Sequence, residues 1–372
     1  MKNDHLSIVI AGGGTGGHLF PGIAIANAFM EKNAQNRILF AGTGKSVETA
    51  IVAEAGFPHR KVTAGGLKGQ RLTARIRSLL KLPAGIYESV RIIREFRPHL
   101  VIGVGGYSSG PVVMAARLLG VKIVLHEQNR IPGIANRVLS LFADRVCVSF
   151  PDSAKKGFPA SVMASGRIRV TGNPVRREIL RMEEKESGNP DKVFTVLITG
   201  GSQGAHRINT AMTEAVRHLK ELQRFHLVHQ TGPQDESAVR QAYADAGISF
   251  EVRPFFTDMP VRYRDADLII CRAGASTVAE IAAMGKPAVF IPFPYAADDH
   301  QTMNARSLVQ AGAADMIAQK DLDAQKLAQK IEYYADHPEL LKKMAEKAKK
   351  FGKTDAAEQI AEICCSLFAE AD

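Results

Sequence analysis

The 372-residue chain has no tryptophan, few aromatic residues, four cysteines and no long uninterrupted apolar run. Each shortage excludes something. Cys147, Cys271, Cys364 and Cys365 form no CxxC pair and no zinc-ligand spacing, so neither a redox dithiol nor a structural zinc is encoded. Cys147 and Cys271 fall within apolar runs, where a thiol acts as a small hydrophobe, and a reducing, cytosolic compartment is expected. No signal peptide is expected, because Met1–Asp4 leads directly into an apolar strand. The longest apolar stretch, Val101–Leu125, carries Arg117, Lys122, Pro111 and five glycines, which reads as strand, loop, helix and strand rather than a membrane span. No cofactor or metal is expected. Asp265-Ala266-Asp267 matches a D-x-D pattern but precedes an apolar strand, so it is read as chance.

Charge is unevenly spread over a chain with a net +10. Between Arg60 and Arg97 lie ten basic residues, opposed only by Glu88 and Glu95. Arg71 and Arg75 alternate there with Leu72, Ile76, Leu79 and Leu80, whose spacing places the apolar residues on one helical face. Such a face either packs on a core or lies on an anionic membrane surface. Nucleic acid is not expected as a partner, since the segment has only Tyr87 and Phe96 as aromatics and no recognisable binding module.

What the chain has in quantity is glycine at the ends of apolar runs. Gly12-Gly13-Gly14-Thr15-Gly16-Gly17-His18 follows Leu6–Ile10 and opens a helical pattern. Gly200-Gly201-Ser202-Gln203-Gly204-Ala205 does the same after Val193–Ile198. Strand, glycine loop and helix let backbone N–H groups approach a phosphate or sugar. The dinucleotide reading fails because the second strand, Arg37–Phe40, runs into Ala41-Gly42-Thr43 with no carboxylate for a ribose. A P-loop ending at Gly44-Lys45-Ser46 fails because its first glycine would fall at Leu39.

Strand and helix patterns alternate in both halves, with strands at Leu6–Ile10, Arg37–Phe40, Leu100–Val104, Lys122–His126 and Arg145–Ser149. They continue at Val193–Ile198, Phe225–His229, Ser249–Val252, Leu268–Cys271 and Ala288–Ile291. The pattern predicts two parallel sheets covered by helices. Ser161–Gly188, polar and glycine-bearing, reads as the connection between halves. Further loops carry chemistry: Gly105-Gly106-Tyr107-Ser108-Ser109, His126-Glu127-Gln128-Asn129, Arg272–Glu280 and Asp298–Asn304. A buried quartet such as His126–Asn129 would be costly without a ligand, and the helix start at Ala275 would attract phosphate. His18, ending the first glycine loop, is the candidate base, with Glu127 or His126 as substitutes.

In order and spacing these loops, together with Gly172–Arg176, resemble the MurG family of peptidoglycan glycosyltransferases along nearly the whole chain. The resemblance implies the GT-B fold, two Rossmann-like doubly wound parallel-sheet domains facing across a cleft. The expected parts are residues 1–170 on the acceptor and membrane side, a linker at 171–190, and a donor domain at 191–351. A C-terminal helix at 352–372 is expected to pack back on the first domain. The implied reaction is inverting, metal-independent transfer of N-acetylglucosamine from UDP-N-acetylglucosamine to an undecaprenyl-linked muramyl-pentapeptide at the cytoplasmic face of the bacterial membrane. By motif, the resemblance puts Ser202 at the diphosphate, Glu280 at the ribose within Ala275-Ser276-Thr277-Val278-Ala279-Glu280, and the backbone near Phe256 at uracil. Gln301, Asn129 and Arg176 fall on the donor sugar site, Thr15, Gly16 and Gly17 opposite it, and Gly105, Tyr107 and His126 on the acceptor side. A diacylglycerol galactosyltransferase and a non-hydrolysing UDP-N-acetylglucosamine 2-epimerase share the fold; the epimerase needs no membrane surface. A nucleotide-sugar binding protein would not need His18, His126 and Asn129.

Overall fold

The computed structural model describes residues 5–13, 16–65, 81–182 and 193–369. Residues 66–80, and with them Arg71, Leu72, Arg75, Ile76, Leu79 and Leu80, lie outside the described residues, as does Thr15. The chain divides into two compact units, Met1–Arg176 with Lys353–Asp372, and Arg177–Gly352.

The first unit is built on seven strands: β1 (Ser7–Ala11), β2 (Arg37–Gly42), β3 (His59–Lys61), β4 (Leu100–Gly103), β5 (Lys122–Glu127), β6 (Arg145–Val148) and β7 (Ile168–Val170). They pair in the order β3-β2-β1-β4-β5-β6-β7, all parallel. Its principal helices are α1 (Gly16–Lys32), α2 (Ser46–Glu54), α3 (Leu82–Phe96), α4 (Ser109–Leu118) and α5 (Ile134–Leu139). Continuous apolar strands are what a parallel sheet buried on both faces requires. On β1, Ile8 and Ile10 enter one core with α1 residues Ile23 and Phe29, while Val9 and Ala11 enter the other with α4 residues Val112 and Val113. The C-terminal helix, Ala356–Ala369, completes the first of these cores through Ile360, Ala361 and Cys364.

The second unit repeats the plan with β8 (Phe194–Thr199), β9 (Phe225–Gln230), β10 (Ser249–Arg253), β11 (Leu268–Cys271), β12 (Ala288–Phe290) and β13 (Asp315–Met316). The order is β10-β9-β8-β11-β12-β13. Its helices include α6 (His206–Ala215), α7 (Glu236–Ala246), α8 (Ala275–Met284), α9 (His300–Gln310), α10 (Ala324–Asp336) and α11 (Pro338–Lys349).

The sequence pattern missed β3, β7 and β13. β7 lies inside the stretch read as an interdomain connection; it is instead an edge strand paired in register with β6. In both sheets the strand order reverses beside the first strand, between β1 and β4 and between β8 and β11. That switch point opens a crevice beyond the carboxyl ends of the strands, where ligands of doubly wound sheets bind.

Candidate functional site

The glycine loops follow the strands that flank the two switch points. In the first unit the β1 and β4 loops touch backbone to backbone. A Cβ on Gly12 would lie 2.5 Å from Val104 Cγ2 and 2.8 Å from the Gly105 carbonyl oxygen. Gly105, at φ +90°, leaves no room for a side chain either, since a Cβ there would sit 2.8 Å from His18 Nδ1. Glycine is therefore what lets the His18 ring reach the β4 loop.

His18 is half-buried near the start of α1, its Nδ1 3.1 Å from the Val104 carbonyl oxygen. A carbonyl only accepts, so Nδ1 carries a hydrogen, and Nε2 is where the lone pair lies whenever the ring is neutral. This is the tautomer a general base needs. Gly16 and Gly17 form the first turn of the same helix. The Arg176 guanidinium lies 4.3 Å from the centre of the Phe20 ring on α1, an arrangement that holds a cation by its charge and its flat face.

The quartet His126–Asn129 spans the end of β5 and the turn after it. Glu127 is 2% exposed. Its Oε1 accepts from Asn129 N at 3.0 Å and Asn129 Nδ2 at 3.2 Å, and its Oε2 from Gly133 N at 3.0 Å and Asn136 Nδ2 at 2.9 Å. A carboxylate with four donors is held in place, and it fixes the loop. His126 is 0% exposed, with Nε2 3.3 Å from the Gly172 carbonyl and Nδ1 3.2 Å from Gln128 Nε2. Burial pushes its pKa down to about 4. His126 is a buried brace behind the β4 and β5 loops, with no exposed surface of its own. The quartet is largely satisfied from within, which sequence spacing could not reveal. Asn129 is half-buried and aimed by Glu127, while Tyr107 exposes about half its side chain, at 47%.

Partnerless buried polar atoms gather on this edge. Among the described residues they include Ser108 Oγ, Gln128 Oε1, Asn136 Oδ1 and both amide atoms of Asn173, all beyond the carboxyl ends of β4, β5 and β7. Each such atom costs about 1–3 kcal/mol, a cost that a polar ligand or ordered water offsets. Asn136 and Asn173 were not singled out from sequence; Asn173, in the Gly172–Arg176 motif, was the one that could have been.

In the second unit Ser202 is exposed on the β8 loop. Gly204, at φ +73°, has the Thr231 carbonyl oxygen 1.8 Å from where a Cβ would stand, so the β8 and β9 loops meet without side chains between them. Gln230, the last residue of β9, ties them further. Its Nε2 donates to Thr199 Oγ1 at 3.3 Å and the Gly201 carbonyl at 3.0 Å, while its Oε1 accepts from Phe256 N at 2.9 Å. The Phe256 N–H is thus already bonded, and its ring is buried under the Arg262 guanidinium.

Helix α8 starts at Ala275 after Gly274, which caps it with no side-chain acceptor; the Ala275, Ser276 and Thr277 N–H groups make the anion-attracting end. Val278 is buried in the helix's inner face and Ala279 half-buried. Glu280 is 4% exposed, not the solvated charge a helical carboxylate usually is. Arg272 braces the neighbouring loop, donating to the Ile291 and Pro292 carbonyls and to Gln319; burial lowers its pKa to about 10. Gln301 on α9 accepts from Phe293 N at 2.9 Å. Just before it, Asp298 and Asp299 are left-handed at φ 55° and 52°, a strain of about 1–3 kcal/mol each that clusters at binding sites. Asp265 pairs with Arg264, and Asp267 accepts from Thr195 N; both therefore have structural work.

Residues 8–148 match the N-terminal domain, and residues 195–360 the C-terminal domain, of glycosyltransferase family 28. A Syntrophus aciditrophicus protein named UDP-N-acetylglucosamine–N-acetylmuramyl-(pentapeptide) pyrophosphoryl-undecaprenol N-acetylglucosamine transferase is 47% identical, over 97% of this chain and 98% of its own length. A Myxococcus xanthus protein of the same name is 43% identical over 98% and 94%. Among solved structures, Acinetobacter baumannii MurG superposes with a TM-score of 0.74 at 31% identity, covering 96% of this chain and 98% of that one. A Neisseria meningitidis UDP-GlcNAc 2-epimerase bound to UDP-GlcNAc reaches 0.66 at 12% identity, over 97% and 100%, a likeness of fold alone.

Proposed function

The chain belongs to glycosyltransferase family 28, among its undecaprenol-linked N-acetylglucosamine transferases, and from that premise we propose how its residues divide the reaction. N-acetylglucosamine passes from UDP-N-acetylglucosamine to the C4 hydroxyl of undecaprenyl-pyrophosphoryl-N-acetylmuramyl-pentapeptide. The acceptor oxygen forms the new bond at the anomeric carbon as the bond to the diphosphate breaks, with inversion. The hydroxyl proton goes to His18 Nε2 and the electron pair leaves on UDP.

The observation that carries the reading is the His18 Nδ1–Val104 carbonyl bond at 3.1 Å, which reserves Nε2 as the ring's proton-accepting position beside a switch point. The leaving diphosphate is balanced by the β8 loop at Ser202 and by the N-terminal N–H groups of α8, fixed dipoles that need no reorganisation. Glu280 accepts from the ribose hydroxyls. Gln301 and Asn129 contact the N-acetylglucosamine, and Arg176 adds positive charge to the donor site. Gly105 and Tyr107 stand on the acceptor side.

No helix among the described residues is long and apolar enough to cross a membrane. The undecaprenyl acceptor is confined to a bilayer, and peripheral attachment at its cytoplasmic face is assigned to the basic segment at Arg71–Leu80.

The test is incubation with labelled UDP-N-acetylglucosamine and a short-chain lipid acceptor analogue. Acceptor-dependent release of UDP with a disaccharide product is expected. Conversion of UDP-N-acetylglucosamine without acceptor would sink the reading in favour of an epimerase.

A further inference from the structure

One protonation pattern runs through five groups behind the β4 and β5 loops, and it starts from a carbonyl, which can only accept. The Gly172 carbonyl can only accept, so His126 Nε2, 3.3 Å away, carries a hydrogen. His126 has no exposed surface; burial depresses its pKa to about 4, so the ring is neutral and Nδ1 is an acceptor. Gln128, 1% exposed, must then turn its amide nitrogen toward that atom, at 3.2 Å. The second hydrogen of the same nitrogen points at the Val104 carbonyl, 2.6 Å away. That carbonyl is also the partner of His18 Nδ1, at 3.1 Å.

We infer that Gln128 is a positioning residue for the transfer reaction: its amide, oriented by His126, fixes the Val104 carbonyl and so holds His18 in the Nδ1–H tautomer. Gln128 touches no substrate in this assignment. Its Oε1 has no partner and lies 3.5 Å from where a Gly105 Cβ would stand, so the amide is held through its nitrogen alone. A carbonyl with two donors in place is less free to rotate away from either. Without Gln128, Val104 keeps one donor, His126 Nδ1 loses its partner, and the His18 Nδ1 hydrogen is held less firmly.

The inference rests on His18 as base for its consequence, not for its geometry, and the two separate experimentally. Two-bond ¹H–¹⁵N spectra of histidine-labelled full-length protein, at a pH where the ring is neutral, read the tautomer directly; loss of the signal in His18→Asn assigns it. Wild type is expected as Nδ1–H, and an Nε2–H signal in wild type would overturn the inference with no variant needed. Gln128→Leu should give a mixture of tautomers. It should also lower kcat about tenfold while both KM values stay within about twofold. Gln128→Glu, closer in shape, cannot donate to Val104 and should behave alike. If either folded variant keeps a pure Nδ1–H signal, Gln128 is packing only. If the tautomers mix but turnover is unchanged, Gln128 sets the tautomer as inferred and His18 is not the base.

Discussion

Glu280, only 4% exposed, stands in α8 close to the helix end assigned to the nucleotide. Glu280→Ala should weaken UDP binding by roughly 1.5–3 kcal/mol, the range for bonds to a charged group. Glu280→Gln, keeping the shape, should lose less. Calorimetry with UDP checks both, and an unchanged dissociation constant for the alanine variant removes Glu280 from the nucleotide site. His18→Ala should lower kcat by about 10²–10⁴, the span of general-base contributions, and change the donor KM little. A change confined to acceptor KM would make His18 a binding group. At this scale the sequence showed which residue types gather after each strand. It could not show that Glu127 is saturated by Asn129, Gly133 and Asn136, because Asn136 meets it through a helix seven residues beyond Asn129.

Elements with a strong period were legible, and those at sheet edges were not. β3 is His59-Arg60-Lys61 and β7 is Ile168-Arg169-Val170, short and largely exposed. An edge strand of three residues is held by one neighbour and needs no apolar run, so no pattern marks it. The C-terminal helix is the opposite case. Ala357, Ile360, Ala361, Cys364 and Leu367 recur at helical spacing and are all buried, which marks the face but not the partner. Its partner is the core around Ile8, Ile10 and Ile23. Ile360→Ala should therefore cost about 2–5 kcal/mol, as a buried large-to-small change. Glu362→Ala, whose side chain is 64% exposed in its pair with Lys32, should stay within about 1 kcal/mol. Urea unfolding separates them, and equal midpoints would mean that the helix contributes no core.

Each unit carries one fully buried neutral histidine. His126 is depressed to about 4 and His229 to about 3, in both cases chiefly by burial. The unfolded chain binds protons near pH 6.5 that these folded rings refuse. Their contribution is thus fully present above pH 6.5 and lost as pH falls toward 4 and 3, with a slope of up to about 1.4 kcal/mol per pH unit for each ring. Urea unfolding between pH 7 and 5 should show stability declining; a flat profile would mean the rings are not held neutral. The membrane proposal also belongs to the whole molecule. Replacing Arg71, Arg75, Arg77 and Lys81 with Gln should reduce sedimentation with anionic vesicles by a few kcal/mol, about 1 per cation. Activity on a soluble acceptor should be spared. Wild-type vesicle binding by the quadruple variant would place the contact elsewhere.

The sequence by itself determined the two repeated α/β units, because buried parallel strands must be continuous apolar runs and glycine loops must follow them for backbone to approach backbone. It also placed the chemistry-bearing loops, since each directly follows a strand. Only the tertiary structure decided what each polar group faces. Whether a buried His or Glu is a brace or a base depends on the donors and acceptors around it. Those arrive from Val104, Gly172 and Asn136, positions that strand order brings together and that local spacing does not encode.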